Sequence, residues 1–293
     1  MKDHSGISFG KNPTVLAIEN YIRENGLTPG DVLPSEAAIC EHLSVSRSSV
    51  REAMRTLASL DMVEIRHGHG TYVGKMSMAP LVNGMVLRLT LNEKSAIENL
   101  QHVVGMRIAL DRSNAQELAA YYKGRETPKL DQIVEEMKIQ FERGESFEHQ
   151  DFLFHQLLND HLSNPLMQEF SMALWEIHTR VVPQLGLRDP EDISNTVQAH
   201  AHMVEALRAG DVDKLLETID EHYQPLLSIL EKNRQYVEQT EHAAESQKGT
   251  LTYDTRTRCR HRRHQNRSRN RRHHRPHHRN QPTHRPHARP RRD

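Results

Sequence analysis

From about residue 97 to residue 236, apolar side chains return every three or four positions, one segment after another. GMRIALDRSNAQELAAYY, KLDQIVEEMKIQFERG, HQDFLFHQLLNDHL, PLMQEFSMALWEIHTRVV, SNTVQAHAHMVEALRAG and VDKLLETIDEHYQPLLSILEKN each carry one apolar stripe. Gly124, Gly144, Asn164-Pro165, Pro183, Pro190 and Gly210-Asp211 separate them. Stripes of this kind are stable only when buried against one another. The spacing therefore predicts an all-α bundle of about six or seven helices over residues 96–236.

Upstream the period changes. VLAIENYIRENG places Val15, Ile18, Ile22 and Leu27 on one helix face, stopped by Gly26. LTPGD reads as a turn. LPSEAAICEHL predicts a second helix capped by Ser35, and SVSRSSVREAMRTLASLD a third capped by Ser46, with Val50, Met54 and Leu57 inward. MVEIRHGHGTYVG then alternates apolar and polar around glycines, as a β-hairpin does. Three helices and a hairpin make a winged helix-turn-helix over 13–75. Residues 1–12 are polar and expected to fray, and 76–95 read as a linker running into a helix. The fold class expected is mostly α, with this domain first and the all-α helical bundle second.

The formal charge of zero hides a segregation. Residues 251–293 hold 15 arginines and two acids, which leaves 24 basic and 37 acidic residues before them, a net −13. An acidic body has no general attraction for nucleic acid, so DNA affinity needs a local positive cluster. The segment 237–293, rich in Arg and His, has too few apolar residues to build a core and is expected to be disordered. Three readings of this tail stand open: non-specific DNA affinity, metal binding by histidines, or an unselected extension. Cys40 and Cys259 show no metal spacing and fit a reducing cytoplasm. No apolar run approaches the ~18 residues of a membrane span, and the N-terminus lacks the apolar stretch of a signal peptide.

In the third helix Arg47, Arg51 and Arg55 share one face, opposite Val50, Met54 and Leu57. A helix-turn-helix presents the start of its second helix to base edges, which selects Ser46, Arg47, Ser48, Ser49 and Arg51 as contact candidates. An arginine can grip guanine O6 and N7 together. The hairpin tip, with His67 and Gly68, would approach the backbone or the minor groove. The same spacing also fits a solvated face on which Glu52 pairs with the arginines.

TPGDVLPSEAAICEHLSVSRSSVREAMRTLASLDMVEIRHGHGTYV resembles the winged-helix domain of the GntR family of bacterial regulators, over about residues 14–74. The resemblance implies dimers on palindromic double-stranded operators. It implies contact roles for Ser46, Arg47, Ser48, Arg51, His67 and Gly68. Two positions depart from the family pattern. Ala37 stands where an arginine that touches DNA is usual, and Asp61 stands where glycine is usual. The second change is expected to affect only the helix-to-strand turn.

A second constellation lies in the bundle. Asp151 and His155 are i, i+4, and His200 and His222 follow on later helices. One carboxylate and three imidazoles suit Zn²⁺ or another divalent first-row metal. With 21 histidines in the chain, ordinary surface or core imidazoles explain the pattern equally well. His149, His161, His178 and His202 are no worse by composition. MRIALD, D-LFH-LL with the later NPL, H-HMVEALRAGD and DEHYQPL are similar to the FCD ligand-binding domain of the FadR-type branch of the GntR family. That resemblance implies a metal, Zn with Ni or Mn as options, on Asp151, His155, His200 and His222, with His202 pointing elsewhere. Four protein ligands on an octahedral ion would leave two positions for a small carboxylate or sugar acid. Arg107 is a candidate counter-charge for it and Arg180 a weaker one; a surface ion pair is the other reading of Arg107.

The expected function is a sequence-specific DNA-binding regulator, a repressor by family tendency, governed by a small organic acid bound near the metal. Two alternatives are a metal-responsive regulator with metal as the effector, and a metal-dependent hydrolase. The hydrolase needs a general base; Glu148 and Glu176 are available, but no motif places either one. No catalytic residue is expected.

Overall fold

The computed structural model describes residues 12–91, 93–187, 193–236 and 239. The chain to Gln235 is one unit, and the second unit, Tyr236–Asp293, lies almost wholly outside the described residues. The expectations about the N-terminal residues 1–11 and the basic tail also fall outside them.

The first domain is built from α1 (Pro13–Glu24), α2 (Glu36–Leu43), α3 (Arg47–Ser59), β1 (Val63–Arg66) and β2 (Gly70–Val73). Each helix begins at a side chain that accepts from an otherwise unpaired amide. Asn12 takes Thr14 N, Ser35 takes Ala38 N and Ser46 takes Ser49 N. The strands pair antiparallel from Val63↔Val73 to Arg66↔Gly70. The loop before α2 joins β2's other edge, where Leu33 N donates to Thr71 O at 2.8 Å. Val15, Ile18 and Ile22 of α1 close over Val50, Met54 and Leu57 of α3, with Val63 and Val73 beneath. The inward stripe of α3 is the one its sequence predicts.

Asp61 does more than its place in the sequence suggests. Its φ of 57° is left-handed, the conformation that glycine adopts freely. Its Oδ2 accepts from Ser77 N at 3.0 Å and Ser77 Oγ at 2.5 Å, and Met76 N donates to its carbonyl at 2.8 Å. Ser77 Oγ in turn accepts from Ala79 N. The side chain thus ties the end of α3 to the start of the next helix, which corrects the expectation that it affects the turn alone. Gly74 is required beside it, because a Cβ there would run into the Asp61 carbonyl.

The second domain comprises α4 (Ala79–Thr90), α5 (Glu93–Tyr122), α6 (Pro128–Glu142), α7 (Glu148–Asn159), α8 (Pro165–Val181), a 3₁₀ turn (Val182–Leu185), α9 (Ile193–Ala209) and α10 (212–236). Residues 76–95 are therefore not a plain linker. Val82, Val86 and Leu89 of α4 are buried in the bundle core. α8 packs against α4, α5 and α7, and so stands at the centre of the domain. Leu100, Phe154, Ile177, Leu207 and Leu230, from five helices, are almost fully buried in that core. No helix among the described residues is long and apolar enough to cross a membrane.

Candidate functional site

α3 carries Arg47, Arg51 and Arg55 on its exposed face. Arg51 Nε donates to Glu36 Oε2 of α2 at 2.9 Å, so its acidic neighbour is Glu36 and not Glu52, the partner in the alternative reading of a solvated face. Ser46, Ser48 and Ser49 form one hydroxyl cluster, with Ser46 Oγ 2.7 Å from Ser48 Oγ and 2.9 Å from Ser49 Oγ. Ser46 is therefore a helix cap as well as a contact candidate. At the hairpin tip His67 and Gly68 are exposed, and Gly68 takes a φ of 77° that the turn requires. Arg66 beside them is engaged by Glu64 at 2.7 Å and lies over the Tyr72 ring.

In the second domain Asp151 and His155 of α7 meet His200 of α9 and His222 of α10. Their ligand atoms all lie within 4.8 Å of one another. The three imidazoles are buried. His200 Nδ1 donates to Thr196 O at 2.8 Å, which leaves Nε2 as a lone pair aimed into the cluster. That Nε2 lies 3.1 Å from Asp151 Oδ1, within ion-pair distance, yet it has no partner in hydrogen-bond geometry. His155 Nε2, 3.7 Å from the same oxygen, and His222 Nδ1 are likewise buried without a hydrogen bond. Trp175 Nε1 donates to Asp151 Oδ2 at 2.5 Å and turns Oδ1 toward the imidazoles.

Burial pushes His155 down to about 3 and His222 well below its ordinary value, with Arg107 adding to both. Burial would raise Asp151, but His155, His200 and His222 outweigh it and hold the carboxyl well below its usual range. Imidazole nitrogens without hydrogen bonds, converging on one ionised carboxylate oxygen, are what a divalent cation requires. The residues present fit the metal that the resemblance implies.

A cavity of about 600 Å³ opens on this cluster, with Asp151 and His222 at its inner end beside Arg107, His178 and Tyr223. Arg107 of α5 is buried, with 4% of its surface exposed. Its guanidinium lies 5.0 Å over the Tyr223 ring, and Nη1 is 2.8 Å from His178 Nδ1. His178 Nδ1 is also 2.9 Å from Trp175 O. A guanidinium cannot accept, so Nδ1 must accept from Arg107, and Trp175 O takes the Thr179 hydroxyl instead. Burial and then the Arg107 charge push His178 down to about 3, in keeping with a neutral ring. Asp111, one turn along α5, accepts at Oδ2 from the Tyr223 hydroxyl at 2.6 Å. Arg107 is thus a buried cation packed against a neutral ring and an aromatic face, and close enough to Asp111 for its charge to act on that carboxyl.

The structure does not bring Arg180 to this cavity. Its Nη1 donates to Asn83 of α4 at 2.9 Å and to Glu176 at 3.1 Å. Position 178, two residues earlier, faces the cavity instead. Glu148 lines the cavity, whereas Glu176 is held by Arg180. His202 lies outside the cluster, 3.4 Å from Glu221, as expected. His161 stacks on Tyr121. Sequence reasoning missed Trp175, Tyr223 and Asp111, and named His178 only as one histidine among several. One signal was available: Trp175 is the chain's single tryptophan, on a helix that also carries a histidine three residues on.

The sequence profile described as bacterial regulatory proteins of the gntR family matches residues 13–73, and that of the FCD domain matches residues 102–225. The galactonate operon transcriptional repressor of Escherichia coli strain K12 is 24% identical over 208 residues, covering 68% of this chain and 87% of that one. The HTH-type transcriptional repressor NanR of the same strain is 26% identical over 208 residues, covering 70% and 78%. The HTH-type transcriptional regulator LutR of Bacillus subtilis strain 168 is 29% identical over 147 residues, covering 50% and 65%. Among solved structures, a GntR protein of Streptococcus agalactiae shares the fold with a TM-score of 0.51 at 24% identity, over 73% of this chain and 96% of that one. The chain belongs to the GntR family: it is a DNA-binding transcriptional regulator with a C-terminal FCD domain, and not an enzyme.

Proposed function

We propose that this protein is a cytoplasmic, homodimeric repressor whose grip on a palindromic operator is set by a small organic acid bound beside a divalent metal. Asp151, His155, His200 and His222 hold the metal, with Zn as first choice and Ni or Mn as options. The metal fixes and polarises one end of the acid, and Arg107 neutralises its carboxylate. Arg47, Arg51 and Arg55, with Ser46, Ser48 and Ser49, face the DNA, and His67 and Gly68 meet it at the wing. The observation that carries this reading is the set of unsatisfied buried nitrogens, on His155, His200 and His222, beside a cavity that reaches the cluster at Asp151 and His222 and is also lined by a buried arginine. A bare cluster in a closed core would suit a purely structural ion; the adjoining space suits a ligand.

The effector acts only through its different affinities for the operator-competent and released states, and the operator weakens effector binding by the same factor. The test is fluorescence anisotropy on a palindrome from the neighbouring promoter and on random DNA, with a panel of carboxylates, with and without Zn²⁺. Tight binding to the palindrome, released by one acid in a metal-dependent way, is the expected result. Release by Zn²⁺ alone would make the metal itself the effector. No preference for any promoter palindrome over random DNA would end the proposal.

A further inference from the structure

A ligand histidine has two ring nitrogens, and the one turned away from the metal needs a partner that holds its proton and fixes the ring. His200 has such a partner, since its Nδ1 donates to Thr196 O at 2.8 Å. His155 has none among the described residues: its Nε2 faces Asp151, and its Nδ1 makes no hydrogen bond. The ring instead borders a second cavity, of about 30 Å³, which shares no lining residue with the larger one. Its polar lining is Asp111 and Asn114 of α5 with His155 and Asn159 of α7, and the rest is apolar. Asn114 is buried, and its Nδ2 has no hydrogen-bond partner. Asn159 Nδ2 donates to Met172 Sδ at 3.4 Å, which leaves Oδ1 as an acceptor. Asp111 gives only Oδ2 to Tyr223 and keeps Oδ1. Two donors and two acceptors therefore border a space that holds one water.

We infer that this small cavity is a site for one structural water, and that Asp111 and Asn114 act through it as positioning residues for the metal ligand His155. The inference rests on the metal reading of the Asp151, His155, His200 and His222 cluster and adds the outer support of one ligand. The water accepts from His155 Nδ1 and Asn114 Nδ2, and donates to Asp111 and Asn159. His155 Nδ1 thereby keeps the proton, and Nε2 keeps its lone pair for the metal. A purely apolar cavity of this size would stay dry; four polar groups around it make a water the better occupant. His200 is held by backbone and His155 by side chains, so only the support of His155 can be removed by substitution alone. The chain of contacts continues from Asp111 to the Tyr223 hydroxyl, and Tyr223 lines the larger cavity. The support of one metal ligand thus reaches the wall of the effector cavity.

The test uses the full chain and Zn²⁺, with affinity measured by competition against a chromophoric chelator. Asn114→Leu exchanges the amide for an apolar group of similar shape and closes the space to water. Zn²⁺ affinity should fall about tenfold to a hundredfold, as for the loss of a ligand's outer partner. The melting temperature of the metal-free chain should be kept or raised, because an unpaired buried donor has been removed. Nuclear magnetic resonance reads the water itself: in the Zn²⁺-loaded parent the His155 Nδ1 proton should show rotating-frame cross-relaxation to water, and in Asn114→Leu it should not. Unchanged Zn²⁺ affinity in Asn114→Leu, or no water contact at His155 Nδ1 in the parent, overturns the water site and leaves the metal reading standing. A loss of affinity matched by a lower melting temperature of the metal-free chain makes Asn114 a packing residue and overturns it too. If the parent binds no Zn²⁺, both readings fall.

Discussion

Arg47, Arg51 and Arg55 stand in water on α3, whereas Arg107 lies in the bundle with 4% of its surface exposed. The exposed set is partly engaged already, since Arg51 rests on Glu36. The buried set is organised around a carboxylate: three imidazole nitrogens without hydrogen bonds converge on Asp151, beside a guanidinium that donates to a neutral ring. The contrast follows from what each surface must meet. A DNA backbone is a dense array of charge met in solvent, and a solvated cation gives up little to reach it. A small ligand offers few contacts, so its site concentrates unmet polar groups where water does not screen them. The two surfaces should therefore fail differently.

The largest expected effect is on the buried side. An ion present at a thousand times its dissociation constant stabilises the fold by about 4 kcal/mol. Chelation should thus lower the melting temperature of the metal-loaded protein by roughly 10 °C. In His200→Ala, metal content should fall to near zero and the chelator should shift nothing. Calorimetry with elemental analysis checks both, and a chelator shift that survives His200→Ala would move the metal elsewhere.

Acid is the next probe of the contrast. Burial holds His155 and His178 down to about 3 in the folded chain, while the unfolded chain protonates them near 6.5. Between those values the unfolded state binds more protons. Stability of the metal-free protein is therefore complete above about pH 6.5 and is lost as pH falls, flattening near 3. Each imidazole contributes at most about 1.4 kcal/mol per pH unit in that window. Denaturant melts at pH 7, 6 and 5 should show it, and a flat profile would mean that these rings are solvated.

The exposed side should respond in DNA affinity and not in stability. Arg47→Ala is expected to weaken operator binding by about 1–3 kcal/mol, roughly tenfold or more, with the melting temperature unchanged. Arg51→Ala should cost less, because that arginine gives up Glu36 to reach DNA. Anisotropy against the operator distinguishes them; equal losses would show that Glu36 does not compete.

What the sequence could show divides along the same line. The caps at Ser35 and Ser46 and the stripe Val50, Met54, Leu57 are local, set by neighbours within a few turns, and each is in place. Residues 76–95 read only as a linker running into a helix, because the burial of α4 depends on α8, some ninety residues on. The four metal-ligand candidates could be picked out by family resemblance, and they do converge. The cavity wall could not, since Phe141, Trp175 and Leu226 come from three helices whose packing no short-range pattern encodes. Arg180 and His178 show the limit most closely: two residues on one helix are separated by about 200° around its axis, and only one of them faces the cavity.

The smallest expected effect tests the joint between the two regions. Asp61 holds Ser77 at the price of a left-handed backbone, which costs a non-glycine residue roughly 1–2 kcal/mol. The bonds to Ser77 return about as much, discounted because the group is largely solvent-facing. Asp61→Gly removes both terms and should leave stability within about 1 kcal/mol of the parent. Ser77→Ala removes the hydroxyl contact and keeps the strain, so it should be the more destabilising change although it lies in the less constrained residue. Hydrogen exchange separates the two: the Ser77 amide loses its acceptor in Asp61→Gly and keeps it in Ser77→Ala. Faster exchange at Ser77 in the glycine variant alone would establish Asp61 as the tie between α3 and α4. Equal protection in both variants would return it to the role of a turn residue.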